Sequence, residues 1–100
     1  MTEPSVPALT RPRLALGQLV ATPAAVAALS EARVSIYLLL NRHARGDWGE
    51  LSEEDHQQNE LAVTMNQRVA SSYRLSNKQK VWIITEADRS VTTVLLPEDY

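Results

Sequence analysis

Arg42, His43, Asp47 and Trp48 fall within one short stretch. A histidine titrates near neutral pH, and a nearby carboxylate such as Asp47 can orient its ring for acid–base work beside an exposed aromatic. The ordinary alternative is a helix end. There Arg42 and His43 face the last carbonyls, Asp47 bonds a turn, and Trp48 fills the core. A second group is Glu86, Asp88, Arg89 and Ser90, followed by Thr92 and Thr93. In a ribonuclease-type site Glu86 would be the base, Arg89 the phosphate clamp, and Thr92 or Thr93 a hydrogen-bond donor. The alternative is a tight hairpin, with Asp88 and Ser90 bonding the turn backbone, Arg89 paired with Glu86 or Asp88, and threonines that simply suit a strand.

Arg68, Arg74, Lys78 and Lys80 accompany Tyr73 and Trp82. Cations beside rings could grip phosphates and stack a base, so these residues are the candidate RNA surface. They would equally line the solvent face of a sheet. His56 and Glu60 stand four apart, near Asp55, at a spacing able to hold a metal. Two ligands do not make a site, and no metal or cofactor is implied. The catalytic candidates are therefore Glu86, Arg89 and His43. The binding candidates are Arg42, His43, Asp47, Trp48, Asp88, Arg89, Ser90, Arg68 and Arg74.

The elements that must position these groups follow from local patterns. Pro4, Pro7 and Pro12 mark residues 1–12 as a flexible arm. Leu14, Leu16 and Leu19 alternate through Gly17, predicting a strand over 13–21 with a bulge or bend at the glycine. Thr22 as N-cap and Pro23 at the first position start a helix. Ile36, Leu39, Leu40 and His43 form one helical face, and Ser35 offers a second N-cap. The pattern leaves open whether the helix over 22–45 breaks near Val34. Gly46 ends it, and Asp47-Trp48-Gly49 turns. Ser52 followed by Glu53, Glu54 and Asp55 opens a polar surface helix running to about Val63.

From Arg68 the period becomes two: Val69, Ser71, Tyr73 and Leu75 point one way, their neighbours the other. Val81-Trp82-Ile83-Ile84 is apolar on both faces, as an inner strand requires. Turn residues separate strands at 68–75, 80–86 and 91–96. The expected fold class is α+β, a single domain over 13–100. Its N-terminal helices pack on one face of a three- to four-stranded antiparallel meander, with 13–21 at an edge.

One hundred residues with a 44% hydrophobic share support one such core, and a net charge of −2 gives no global attraction for nucleic acid or anionic membrane. The absence of cysteine excludes disulfides and thiolate zinc sites. No signal peptide or apolar span is visible, so a cytoplasmic protein without a membrane is expected.

The stretch from Arg42 to Gly49, with that from Trp82 to Tyr100, resembles a family of small uncharacterised bacterial proteins of plasmids and other mobile elements. The resemblance covers roughly residues 14 to 100. Some members are labelled type I restriction-modification subunits. This chain is too short for a methyltransferase domain and has no nucleotide-binding glycine loop. At fold level, helices followed by a meander resemble the compact barnase/RelE-like ribonuclease toxins. Two functions are therefore expected in order. The first is a non-enzymatic accessory factor that binds another protein; the second is a small ribonuclease toxin, against which the pI of 5.6 counts. An exposed edge strand would also allow a homodimer, which the sequence leaves open.

Overall fold

The computed structural model describes residues 12–100. Of the expected flexible arm, all but Pro12 lies outside the described residues. The elements run β1 (Gln18–Ala21), α1 (Pro23–Ala32), α2 (Ile36–Ala44), α3 (Glu53–Met65), β2 (Val69–Arg74), β3 (Lys80–Thr85) and β4 (Val91–Leu95). A short 3-10 turn, Pro97–Asp99, follows.

The helix starts obey their caps. Thr22, Ser35 and Ser52 each accept a main-chain N–H in their first turn. The segment 22–45 is indeed broken. Arg33 takes a left-handed conformation, φ 59°, and the Val34 N–H reaches back to the Leu29 carbonyl. Two orphan carbonyls are satisfied there, and α2 leaves at 105° to α1. No helix among the described residues is long and apolar enough to cross a membrane.

The sheet has four strands in the order β1-β4-β3-β2. β2, β3 and β4 form the expected antiparallel meander, with β3 inside. β1 overturns the wholly antiparallel expectation: it pairs parallel with β4, Gln18 opposite Val91 and Ala21 opposite Val94. It is also shorter than the expected 13–21. The reason lies at Gly17, which is no bulge within a strand. The chain there squeezes past the β3–β4 turn at φ 67°, and a Cβ would collide with the carbonyls of Arg89 and Ser90. β1 thus begins beside the start of β4 and runs alongside it.

Register puts Val69, Ser71, Tyr73, Val81, Ile83, Thr85, Thr92 and Val94 on one face of the sheet, all buried. Tyr73, Val81, Ile83 and Val94 share a cluster with Ala25, Ala28 and Leu29 of α1 and Leu39 and Leu40 of α2. Full burial of each large aliphatic is worth about 1.5–3 kcal/mol. Trp48, Leu14, Ala62 and Val69 make a second cluster under α3. α3 otherwise buries only Asn59, as its polar composition predicts.

Candidate functional site

His43 closes the last turn of α2 with its ring fully inside the protein, at 0% exposure. It is no surface acid–base group, and Trp48 fills the core as the helix-end alternative had it, 1% exposed and meeting the ring edge-on at 5.7 Å. Asp47 does not orient His43. Its carboxylate accepts from Arg42 Nε at 2.7 Å and Nη2 at 3.2 Å. Arg42 and the turn N–H of Gly49 hold that carboxyl below the usual carboxylate range. The Arg42 guanidinium also lies 4.7 Å above the Tyr73 ring, and the Tyr73 hydroxyl donates to the Asp47 carbonyl at 2.6 Å. Burial pushes that phenol up to about 12.

His43 anchors a polar chain that crosses the whole sheet, and its proton positions follow from one end. The Leu16 carbonyl can only accept, so Thr92 Oγ1 donates to it at 2.7 Å. Thr92 then has no proton left, so Thr85 donates to it, also at 2.7 Å. Thr85 in turn accepts from His43 Nε2–H at 2.9 Å. Nδ1 is left as the acceptor for the Ser71 hydroxyl at 2.5 Å. The ring is neutral. Burial, aided by the nearby Arg89 charge, pushes its pKa down to about 4.

The β3–β4 turn is built as a hairpin. Asp88 accepts from the Ser90 N–H and hydroxyl, at 3.0 and 2.6 Å. Arg89 pairs with neither Glu86 nor Asp88 side chains. Its guanidinium donates to the main-chain carbonyls of Gln67, Glu86 and Ala62 at 2.7 to 3.1 Å. α3 has no basic residue in its last turn, and Arg89 supplies that charge from the neighbouring turn. A phosphate would have to displace these carbonyls. The Glu86 carboxylate is engaged by Arg68 at 3.2 and 3.3 Å on the surface, while His43 lies in the core. Thr92 is buried in the polar chain. The ribonuclease-type set is therefore not brought together.

The candidate RNA cations are likewise engaged. Arg68 pairs with Glu86 and donates to the Tyr100 hydroxyl at 2.8 Å; Arg74 and Lys80 both pair with Glu50. Among the described residues Lys78, on the β2–β3 turn, forms no ion pair. His56 and Glu60 gain no third ligand there, since no group of three His, Asp or Glu comes together. Glu60 instead accepts from Arg13 at 2.7 Å and from the Trp48 indole at 3.0 Å.

What remains is a groove of about 460 Å³ on the sheet face opposite the buried one. Trp82, Ile84 and Ala70 form its floor, and Leu51 and Tyr100 its walls. The Tyr100 ring meets Trp82 edge-on at 5.8 Å. The rim carries Arg68 and Lys80 against Glu50 and Asp55, two charges of each sign. The even charge comes from the acidic segment before β2 folding back onto the basic strands. Leu51 and Tyr100 carried no motif in the sequence. Ser71 and Thr85 lay on the inward parity of their strands, which was the available signal for the polar chain. No protein-family model, curated protein or solved structure matches the chain.

Proposed function

We propose that the chain is a non-enzymatic protein-interaction factor that holds a segment of another protein in the groove over Trp82. The groove itself is the observation that carries this reading. Its floor is apolar, and its lining includes Trp82, Tyr100 and Arg68, the residue types that dominate binding energy at protein interfaces. A rim with two charges of each sign suits a polypeptide of mixed charge better than a polyanion, which needs a net positive surface. α1 and α2 pack on the other face, and here only Tyr100 and the segment from Glu50 into the first turn of α3 border the groove among the described residues. The groups a ribonuclease needs are spent on the fold. The resemblance at Arg42–Gly49 and Trp82–Tyr100 adds the setting, an accessory factor of a bacterial mobile element working in the cytoplasm.

The test separates binding from cleavage. Purified chain leaves labelled RNA intact, and a photo-crosslinker beside Lys80 captures a host protein. Tyr100→Ala and Lys80→Glu, both at exposed positions, lose that capture while circular dichroism shows an unchanged fold. RNA degradation that disappears with Glu86→Ala would overturn the reading in favour of the toxin alternative.

A further inference from the structure

We infer that β1 is a self-pairing edge, through which two copies of this chain join antiparallel about a two-fold axis at Val20 into one eight-stranded sheet. Among the described residues β1 has a neighbour on one side only. The Gln18 N–H reaches Ser90 and the Thr22 N–H reaches Val94. In a parallel ladder alternate residues face the same neighbour, so Gln18 and Val20 turn to β4 while Leu19 and Ala21 turn their N–H and C=O outward. Among the described residues those four groups have no partner. Placing Val20 opposite its own copy sets Leu19 opposite the second copy's Ala21, and the reverse. All four outward groups on each strand are then satisfied, by four interchain hydrogen bonds.

The surroundings fit a copy of the same chain. A charge lying on a two-fold axis meets its own copy, so an uncharged strand suits self-pairing there. Residues 14–30 and 34–41 contain no Asp, Glu, Lys or Arg, in a chain that is 22% charged. The strand is short, four residues, but it carries no lysine, proline or inward-pointing charge. The flank is apolar instead. Leu19 is 45% exposed, Val20 39% and Tyr37 70%. A hollow of about 140 Å³ lies beside the strand, lined by Leu19, Ala21, Ile36, Tyr37 and Leu40. Four hydrogen bonds alone are a weak join, and this flank supplies the apolar area that a lasting one needs.

Sedimentation of the full chain over a concentration series tests the inference. The wild type runs as a dimer that dissociates on dilution, and its Leu19 and Ala21 amides exchange more slowly as concentration rises. Val20→Lys and Val20→Asp each weaken the dimer at least tenfold, because like charges then face each other across the axis. A one-to-one mixture of the two restores it, because only a residue that meets its own copy allows that rescue. A wild type that stays monomeric throughout overturns the inference. So does a Val20→Lys protein that still dimerises, or Leu19 and Ala21 amides that stay slow at dilutions where sedimentation shows a monomer. Mixing that fails to rescue, with dimerisation intact in the wild type, places the axis elsewhere and overturns it too. Val20 lies outside the groove over Trp82, so none of these outcomes bears on partner binding there.

Discussion

The two edges of this sheet solve the same problem in opposite ways. On β2 the main chain of Ala70, Ser72 and, at the strand's end, Arg74 faces outward, and the first two are covered. The Ser72 N–H donates to the Trp48 carbonyl at 3.0 Å, and the Ser72 carbonyl accepts the Glu50 N–H at 2.6 Å. The Asn59 side-chain amide does the same for Ala70, donating to its carbonyl at 2.7 Å and accepting its N–H at 3.3 Å. A loop and one amide thus imitate a fifth strand. On β1 the equivalent groups of Leu19 and Ala21 find no partner among the described residues, and the side chains around them are apolar. Among the described residues one edge is covered by a loop and one asparagine and the other is not. The proposed self-pairing of β1 rests on that difference.

That contrast depends on β1 being firmly held from its inner side, and the polar chain does this. It runs from Ser71 on β2 through His43, Thr85 and Thr92 to the carbonyl of Leu16, two residues before β1. The largest expected effect comes from protonating it. The folded pKa of His43 is depressed from 6.5 to about 4. The unfolded state therefore binds more protons between these values, and the contribution is complete above pH 6.5 and lost as pH falls towards 4. Some 3 kcal/mol of stability should disappear over that window. Denaturant unfolding at a series of pH values measures it, and His43→Gln should remove most of the slope above about pH 5, where the carboxylates held low, such as Asp47, are still ionised. A wild-type stability flat down to pH 4 would mean that the ring is hydrated and that β1 has a different anchor.

The sequence carried the local devices and not the long-range ones. The N-caps at Thr22, Ser35 and Ser52, the inward parity of Val69, Ser71 and Tyr73, and the inner position of Val81 to Ile84 all depend on neighbours in the chain. The direction of β1 does not. A four-residue strand has no intrinsic orientation, and its partner β4 lies some seventy residues away. His43 looked like a helix-end residue because its partners Ser71 and Thr85 are 28 and 42 residues on. Arg89 looked like a phosphate clamp for the same reason: the carbonyl it meets at Ala62 belongs to another element. Asn59 gave no signal, since one amide in a polar helix resembles every other.

The next effect bears on the closed edge. Asn59→Ala removes both bonds to Ala70 and leaves a main-chain pair at the sheet margin without its protein partners. A loss of about 2 kcal/mol is expected in chemical denaturation. The Ala70 amide should also exchange faster, while that of Ser72, held by Trp48, stays slow. Were Ala70 to remain protected in the variant, the edge would be closed by more than the asparagine, and the analogy with a fifth strand would fail at that position.

The smallest effect decides whether charge contributes to closing β2 at all. Arg74 ends that strand and donates three hydrogen bonds to Glu50, at 3.0 to 3.3 Å. The pair looks like a clasp over the loop that carries Trp48 and Gly49. Both side chains are about half exposed, however, and such pairs are commonly worth no more than about 1 kcal/mol. Gly49 already fixes the loop. At φ 77° it brings the main chain so close to Ser72 that a Cβ would collide with the Ser72 carbonyl. Arg74→Ala should therefore have only a small effect on stability, smaller still in high salt, and leave the Ser72 amide protected. A cost well above 1 kcal/mol, with Ser72 newly exchanging, would show that β2 is closed by its ion pair. The two edges would then differ in charge rather than in main-chain cover, and adding a single cation to β1 would be enough to make them alike.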